Sequence, residues 1–406
     1  MTNYDILIVG GGMVGASLAR AIQGLGLKTG IIEAYPYNAE AQPSYDDRAI
    51  ALAWGSRLIL EGMGMWSRLQ PKVEPILDVH ISDRGHYGFS HLNHKQEGVE
   101  ALGYVATGHA LGQTLLQGVG DLADIELICP ARLNHFIIRS DHAEVHIDHG
   151  GKTQRLKTKL LIGADGVESI VRKKAGIELV EKPYDQTAII ANITPGKPHN
   201  NIAYERFTDS GPLAMLPMTG GRCSLVWTAW DHEVDEIMSL SDEGFLTHLQ
   251  RRFGFRLGRL QHTGQRSAYP LKLRQAKEQY RSRLVLIGNA AHAVHPVTGQ
   301  GYNLGIRDVS ALAEVLAGAA KEGGDPGQIS LLKAYADWRQ QDHDRVLQIT
   351  DTLARVFANP LKSVTVARDL GLIGLDLIPS LKHFAAQQFM GMNGRLPRLS
   401  RGLPIN

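Results

Sequence analysis

The stretch YDILIVGGGMVGASLARAIQGLGLKTGIIE, residues 4–33, contains the pattern that decides the fold. Residues 4–9 are almost entirely apolar and predict a parallel strand buried on both faces. A glycine-rich turn follows, and after it a segment with the apolar spacing of a helix, for which Gly26 is a suitable end. Residues 29–33 predict a second strand that ends in Glu33. The pattern therefore predicts a β-α-β unit at the start of the chain.

Three glycines form a G-x-G-x-x-G pattern at the turn from strand to helix: Gly10, Gly12 and Gly15. The first permits the tight turn, the second lets a pyrophosphate approach the backbone, and the third lets the helix pack closely on the strand. The helix N-terminus adds free N–H groups and partial positive charge. Glu33, at the end of the second strand, is placed to accept hydrogen bonds from both ribose hydroxyls. The pattern predicts dinucleotide binding, but it does not separate NAD from FAD.

The composition excludes several classes of protein. The chain has 406 residues, 43% of them hydrophobic, and a net charge of +2, which is unlike the concentrated basic charge of a nucleic-acid-binding protein. Two cysteines, Cys129 and Cys223, give no disulfide framework and fit a reducing cytoplasm. A signal peptide and an apolar run of about 18 residues are both missing, so we expect a cytoplasmic protein without a transmembrane helix.

Two more glycine turns occur later in the chain. LIGADGVESIVR, residues 161–172, carries Asp165, and GNAAHAVHPVTGQGYNLGIRD, residues 288–308, carries Asn289. A nicotinamide nucleotide rarely needs three such turns spread over a whole chain, whereas the longer flavin dinucleotide does. The three turns together favour FAD as the cofactor.

In their order, the three motifs resemble those of the aromatic-hydroxylase class of flavoproteins, whose fold is that of p-hydroxybenzoate hydroxylase. DDRAIAL, residues 46–52, and GPLAMLP, residues 211–217, are similar to the branch that serves ubiquinone biosynthesis. The resemblance extends from residue 4 to about residue 357. GNAA in the third motif and SDRGH at residues 82–86 are most similar to the 2-octaprenyl-6-methoxyphenol hydroxylases.

The resemblance implies an α/β fold in which a Rossmann-like FAD-binding domain is interleaved with a β-sheet substrate domain and followed by C-terminal helices. The sequence between about 183 and 275 is strand-like and punctuated by turns, which agrees with a sheet domain. The expected segments are 1–72, 101–182 and 276–357 for the FAD-binding domain and its long helix, 73–100 and 183–275 for the substrate domain, and 358–406 for the C-terminal helical region.

Most of the class has an aspartate at the start of the third motif, where it accepts a hydrogen bond from the ribityl chain of the flavin. Asn289 stands there in this chain, and its amide oxygen still accepts such a bond although the negative charge is lost. Gly299, Gln300 and Gly301 are expected to precede a helix from about Tyr302 or Asn303 onward, whose N-terminal amides face the pyrimidine end of the flavin ring. The resemblance adds these residues to Glu33 and the three glycines: Arg48, Gln113, Asp165, Asn289, Pro296, Gly299, Gln300, Gly301 and Asn303.

The implied activity is that of an FAD-dependent monooxygenase that hydroxylates a polyprenylated phenol in ubiquinone biosynthesis. In this class, reduced FAD reacts with the co-substrate O₂ to give a C4a-hydroperoxide, and the electrons come from NAD(P)H or from a separate reductase. No residue is identified as a base for the phenol. The prenyl tail requires an apolar channel, for which the candidates are Met215, Leu216, Pro217 and Trp227; the alternative is that these four are core residues.

Several alternatives remain open. His292 and His295 are weighed as metal ligands, but the pair lacks a third ligand and the flavin needs no metal, so we expect none. Another flavoenzyme of this fold, acting on a soluble phenol or on isoprenoid double bonds, is one functional alternative. A non-catalytic flavin-binding scaffold within a multi-protein complex of quinone biosynthesis is the other. The C-terminal Arg395, Arg398 and Arg401 are either a solvated tail or a contact with anionic lipid at a membrane surface.

Overall fold

The computed structural model describes residues 2–36, 48–293, 299–357 and 362–405. Its strands belong to three sheets. In chain order the strands are β1 (Thr2–Val9), β2 (Thr29–Ile32), β3 (Ala49–Ala53), β4 (Glu74–Ile76), β5 (Asp78–Asp83), β6 (Phe89–Asn93), β7 (Gly103–Thr107), β8 (Ile125–Ile128), β9 (Ala131–Ile138), β10 (Ala143–His149), β11 (Lys152–Gly163), β12 (Leu179–Thr194), β13 (Ile202–Thr208), β14 (Gly211–Met218), β15 (Arg222–Trp230), β16 (His262–Thr263), β17 (Ser267–Ala276), β18 (Tyr280–Arg281), β19 (Leu284–Leu286) and β20 (His292–Ala293).

The α-helices of the described residues alternate with these strands in the first half of the chain and dominate its end. In chain order they are α1 (Met13–Ile22), α2 (Trp54–Gly62), α3 (Trp66–Leu69), α4 (His94–Glu97), α5 (Gly108–Leu116), α6 (Ile170–Lys174), α7 (Asp231–Ser239), α8 (Asp242–Phe253), α9 (Gln300–Lys321), α10 (Ile329–Phe357), α11 (Lys362–Leu377) and α12 (Pro379–Met390).

The first sheet contains the β-α-β unit predicted for the start of the chain. Its strand order is β18-β19-β11-β1-β2-β8, and β9 and β10 extend it beside β11. β1 pairs in parallel with both β2 and β11, and Ile6, Leu7 and Ile8 are fully buried. α1 ends at Ile22, earlier than the stop predicted at Gly26, because the backbone already leaves the helical region at Gln23.

The second sheet is antiparallel for most of its width. Its order is β20-β17-β12-β15-β14-β13-β5-β6, with β16 beside β12. The strands predicted between 183 and 275 are present, but α7 and α8 were missed. Both helices are polar on average, which hid them among the turn-like segments of this region. Ser241 caps α8 by accepting from the Gly244 N–H at 3.1 Å, and this cap was the local signal for the helix.

The smaller third sheet has the order β3-β7-β4. The first sheet draws its strands from residues 2–32, 125–163 and 280–286, and the second from 78–93, 179–276 and 292–293. Chain segments thus cross between the two sheets several times. The domain boundaries expected from the sequence stay a prediction.

The C-terminal part of the chain covers one side of the second sheet. α11 packs against β6 and α12, and α10 packs against α9 and β14. This arrangement encloses a space between the sheet and the last three helices. Across the described residues, no helix combines the length and the apolar composition that crossing a bilayer requires.

Candidate active site

The three glycine turns predicted from the sequence meet at the carboxyl ends of the first sheet's central strands. A Cβ added to Gly10, whose φ is +102°, would lie 2.5 Å from the carbonyl oxygen of Ala164 in the second turn. A Cβ added to Gly288 in the third turn would lie 3.0 Å from Val14 at the start of α1. The first two turns therefore pack backbone against backbone, and the third turn packs its backbone against the Val14 side chain, so both contacts favour glycine.

The first turn has the geometry of an anion site. A Cβ on Gly15 would lie 1.9 Å from the Gly10 carbonyl oxygen, so this glycine lets α1 begin directly against the turn. Gly12 starts α1, and no side chain of the described residues caps this end. The first N–H groups of α1 are consequently available to a phosphate.

Glu33 lies at the rim of this turn. Its Oε2 accepts a hydrogen bond from the Gly11 N–H at 2.6 Å, and its Oε1 accepts one from the Tyr35 N–H at 2.9 Å. Two backbone donors thus hold the carboxylate at the end of β2, beside the helix N-terminus. A carboxylate in this position has free lone pairs for ribose hydroxyls.

Asp165 begins the second turn, and its carboxylate stabilises that turn and the helix after it. It accepts from Ser169 Oγ at 2.5 Å and from the N–H groups of Ile170 at 2.6 Å and Val171 at 3.1 Å. Both carboxylate oxygens therefore stabilise the start of α6. The expected contact of Asp165 with the flavin stays a prediction.

Asn289 lies in a single helical turn, Gly288–Ala290, that follows β19. Gly288 and Ala290 are buried, whereas the Asn289 side chain is exposed. Its amide is consequently available to a ligand. Pro296 and His295 lie outside the described residues.

The Asn303 side chain makes all of its hydrogen bonds within the protein. Its Oδ1 accepts from the Ala53 N–H at 2.8 Å and from Ser56 Oγ at 2.7 Å. Its Nδ2 donates to the carbonyl oxygens of Ala51 at 2.8 Å and Gly299 at 2.7 Å. These four bonds satisfy the amide, so a contact between this residue and a cofactor would come from its backbone.

The start of α9 has two glycines with different surroundings. Gly299 has a φ of +62°, and a Cβ there would lie 2.9 Å from the Ala51 Cβ. A Cβ on Gly301 would instead meet no atom within 4 Å. Open space thus lies in front of a helix N-terminus, which favours negative charge. Together, the first turn, Glu33 and this helix N-terminus offer the amide and carboxylate groups that suit the phosphates, ribose and ring of FAD.

Arg48 and Gln113 lie near the third sheet. Arg48 directly precedes β3, accepts from the Gly108 N–H at 2.9 Å through its carbonyl oxygen, and stacks over the Tyr269 ring at 4.9 Å. Gln113, on α5, accepts from Lys72 Nζ at 2.9 Å. Arg48 therefore connects the third sheet with β17 of the second, and the roles of both residues toward the flavin stay predictions.

A cavity of about 920 Å³ lies between the second sheet and helices α9 to α12. Gly299 and Gln300 line it at the start of α9, and Leu381 and Phe384 line it on α12. Its wall is predominantly apolar, and the charged residues on it are Glu205 and Arg368. The start of α9 and the last helices therefore line the same apolar cavity.

The candidate channel residues divide between the cavity wall and the core. Leu216 lines the cavity, but Met215 and Trp227 are fully buried in the core that β14 and β15 form with α7 and α8. Pro217 is buried and is not part of the cavity wall. The reason is the alternation of side chains along β14. The sequence did not show which face of the sheet the missed helices cover.

A buried carboxylate, Asp308 on α9, joins the third motif to α10. Its Oδ1 accepts from Arg339 Nε at 2.8 Å and from His343 Nε2 at 2.6 Å. Its Oδ2 accepts from His292 Nε2 at 2.6 Å and from the Gly288 N–H at 3.3 Å. Burial alone would raise the pKa of Asp308, but the two imidazoles and the guanidinium outweigh burial and hold this pKa well below its ordinary value.

His292, Asp308 and His343 offer ligand atoms within 4.8 Å of one another, a spacing that could hold a metal ion. The Arg339 guanidinium already supplies positive charge to the same carboxylate. We therefore interpret the cluster as a hydrogen-bonded network that fixes the third motif.

Comparison with known proteins supports the resemblance of the motifs. The family described as FAD binding domain matches residues 3–350. The chain is 38% identical to ubiquinone hydroxylase UbiL of Rhodospirillum rubrum, over 99% of this chain and 93% of that protein. It is 31% identical to the 3-demethoxyubiquinol 3-hydroxylase of Escherichia coli, over 97% of this chain and 100% of that protein.

A more distant relative and a solved structure are also similar to this chain. The mitochondrial ubiquinone biosynthesis monooxygenase COQ6 of Mus musculus is 29% identical over 94% of this chain and 90% of its own length. The p-nitrophenol 4-monooxygenase PnpA of Pseudomonas putida has a TM-score of 0.80 at 17% identity, covering 97% of this chain and 100% of its own. At that identity the structural likeness concerns the fold alone, and it confirms the α/β fold expected from the motifs.

Proposed function

The chain belongs to the family of FAD-dependent hydroxylases of ubiquinone biosynthesis, and on this premise we propose that it hydroxylates the ring of a polyprenylated phenol. Within that pathway, the motifs favour the step of the 2-octaprenyl-6-methoxyphenol hydroxylases. The enzyme is a flavin-dependent monooxygenase, with FAD as its cofactor and O₂ as its co-substrate.

The observation that carries the proposal is the apolar cavity that begins at Gly299 and Gln300 and extends to α12. Ligand pockets commonly have volumes of roughly 300–1,000 Å³, so about 920 Å³ is large for a phenol alone. A long apolar tail accounts for both the size and the apolar wall, because its burial is favourable and needs no polar partners.

Bound FAD supplies the electrons and the activated oxygen for the hydroxylation. The chain contributes binding and orientation. The first turn and Glu33 are assigned to the adenosine half, Asn289 to the ribityl chain, and the N-terminus of α9 to the ring, where it stabilises negative charge. The apolar wall excludes water from the reacting groups. NAD(P)H or a separate reductase donates the electrons.

We also assign a membrane-facing role to α11 and α12. Five large apolar residues on these helices are between 48% and 72% exposed: Val366, Leu370, Leu377, Leu381 and Phe384. Two of them, Leu381 and Phe384, also line the cavity. An exposed apolar patch that continues into a cavity suits a substrate that enters from a lipid surface. The patch is thus a better-supported contact than the arginines of the C-terminus.

Those arginines are partly engaged within the protein. Arg395 stacks over the Trp338 ring at 4.2 Å, and Arg398 Nε donates to the Pro404 carbonyl oxygen at 3.0 Å. Sedimentation with vesicles of anionic phospholipid tests the assignment. Leu370→Asp and Leu377→Asp should each reduce binding, whereas Phe255→Asp, at an exposed site beyond α8, should not. Equal binding of all three variants to the vesicles would show that the patch does not contact the membrane. Membership of a multi-protein complex remains part of the proposal.

Analysis of quinone intermediates in a strain that lacks the protein tests the proposed reaction. We expect a prenylated phenol without the added hydroxyl to accumulate, and its structure identifies the ring position. The purified holoenzyme should convert that compound with consumption of NAD(P)H and O₂. Unchanged ubiquinone in the strain would contradict the proposal. A flavin-containing protein inert toward every donor, in a strain with low ubiquinone, would instead support the scaffold.

A further inference from the structure

One acidic side chain lies on the wall of the apolar cavity. Glu205 is on β13, where Ala203, Glu205 and Phe207 face the cavity and Tyr204 packs on the opposite face against Phe253. Across the sheet, Glu205 pairs in register with Ala214 and Ile81, which also line the cavity. Apolar side chains therefore flank the carboxylate on both neighbouring strands.

Glu205 has no ion-pair or side-chain hydrogen-bond partner among the described residues. The other charged residue of the cavity wall, Arg368 on α11, pairs with Asp83 on β5 at 3.2 Å and donates to the Val356 carbonyl oxygen at 3.2 Å. A carboxylate removed from water without a partner is unfavourable. Its position is explained if a ligand in the cavity supplies the partner.

The remaining polar groups on the wall are unsuited to accept a proton. Thr350 Oγ1 donates to the Val346 carbonyl oxygen at 2.8 Å, and Gln388 Oε1 accepts from Asn393 Nδ2 at 2.9 Å. Amides and hydroxyls do not accept a proton at neutral pH, and an arginine stays protonated. Of the described residues that line the cavity, Glu205 alone combines acid–base chemistry with an unengaged side chain.

We propose that Glu205 is the catalytic base that binds the phenolic hydroxyl of the substrate and removes its proton, and this rests on the proposed function. The phenol O–H bond breaks, the electron pair stays on the phenol oxygen, and the proton bonds to a carboxylate oxygen of Glu205. The negative charge passes to the substrate, which makes the ring carbons ortho and para to the oxygen more nucleophilic. No electron is exchanged with an oxidant in this step.

The environment of the carboxyl suits this transfer. Burial raises the pKa of Glu205 to about 7. A phenol ionises near a pKa of about 10, as the tyrosine side chain does, and an ordinary glutamate near about 4.3. Because a base is most effective when its pKa is close to the working pH, the raised pKa favours proton transfer at neutrality. The fraction of ionised Glu205 should increase as the pH rises through about 7.

The direct test is a spectroscopic titration of the holoenzyme with a soluble short-chain prenylated phenol, because it does not require turnover. In the wild-type complex, we expect the affinity for the phenol to rise as the pH rises through about 7, because only ionised Glu205 accepts the hydrogen bond of the phenolic hydroxyl. Glu205→Gln preserves the shape and should remove this pH dependence of binding. Glu178→Gln, at an exposed carboxyl paired with Lys277, is the control and should match wild type.

Turnover provides the second readout. Glu205→Gln should lower kcat for hydroxylation at least about 100-fold, remove the rise of kcat/KM through neutral pH, and leave the FAD content unchanged. Glu205→Asp keeps a carboxylate and should retain the pH dependence at a reduced rate. It also replaces the glutamine variant if that protein does not fold.

Two results would overturn the inference. One is a wild-type affinity for the phenol that does not change as the pH passes through about 7. The other is a Glu205→Gln enzyme with the rate and pH profile of wild type. Failure of the proposed function is distinguishable, since the wild-type enzyme would then hydroxylate no prenylated phenol at all.

Discussion

His343 on α10 donates its Nε2 proton to Asp308 Oδ1 on α9 across 2.6 Å. Its Nδ1 lies 2.9 Å from Gln279 Nε2, which donates to it and thereby selects the neutral tautomer with the proton on Nε2. Arg339 Nε donates to the same oxygen of Asp308. The relationship fixes the third glycine motif against α10.

Asp308→Asn should strongly destabilise the protein. The substitution leaves the buried Arg339 without one of its carboxylates, and breaking a buried ion pair in this way costs about 3–5 kcal/mol. Urea unfolding measures the difference. Asp337→Asn, which removes an exposed carboxylate that pairs with Lys333 on the same helix as Arg339, should change the free energy of unfolding by less than about 0.5 kcal/mol. Equal effects of the two variants would contradict this account.

His343 should make the protein less stable as the pH falls below about 6.5. Burial lowers the pKa of His343 from 6.5 to about 4. Between these values the unfolded chain binds a proton that the folded protein does not, so the stability present above pH 6.5 is lost toward pH 4. One group contributes up to about 1.4 kcal/mol per pH unit.

Unfolding free energies measured at several pH values check the slope. His232→Asn removes an exposed imidazole and should leave the slope of stability against pH unchanged. His343→Asn should flatten that slope between pH 4 and 6.5. A wild-type stability that does not change over this interval would show that His343 is protonated in the folded state.

Glu33→Gln should weaken the binding of FAD. The carboxylate lies at the rim of the first turn, held by the N–H groups of Gly11 and Tyr35, and loss of a charge-assisted hydrogen bond costs about 1–3 kcal/mol. The released cofactor is identified by mass, and its dissociation constant is measured by titration of the apoprotein. Glu178→Gln is the matched control. If the released cofactor is FMN, or if the dissociation constant is unchanged, Glu33 does not bind the ribose of FAD.

Asn289→Asp should keep FAD bound and lower its reduction potential. The carboxylate still accepts the ribityl hydroxyl but adds negative charge near a ring that becomes anionic on reduction. At about 8 Å and an effective dielectric constant of about 20, Coulomb's law gives roughly 2 kcal/mol. For two electrons this corresponds to roughly 40 mV before screening by solvent.

Asn289→Leu removes the acceptor and should weaken FAD binding itself. A midpoint potential and an FAD titration on both variants separate the two effects. If the aspartate variant loses FAD while the leucine variant retains it, Asn289 does not accept the ribityl hydroxyl.

The nucleotide-binding unit was predictable because its requirements are local. The turn between β1 and α1 needs glycines at Gly10 and Gly15 whatever the rest of the chain does, since a side chain there would meet the backbone. The apolar run of β1 and the acid at the end of β2 are likewise encoded within 33 residues. Three ordered motifs were then sufficient to identify the family and the fold.

The substrate side was not predictable in the same way. Adjacent residues of a strand point to opposite faces of the sheet. Leu216 and Met215 therefore lie on different faces, and each face is covered by a different group of helices. α7 and α8 bury Met215, and α10 to α12 enclose Leu216 and Glu205. The sequence alone therefore did not distinguish Glu205 from the other glutamates of the chain. Its distinguishing property is burial among apolar side chains of the cavity wall, which arises only when distant segments pack together.

The network of Asp308 follows the same rule. Its donors come from β20, α10 and the turn after β19, and the sequence indicates none of these contacts. Local patterns determine strands, helices and glycine turns because their causes act within a few residues. The pKa of a buried carboxyl depends on desolvation and on charges brought from elsewhere in the chain, so only the tertiary structure decides it.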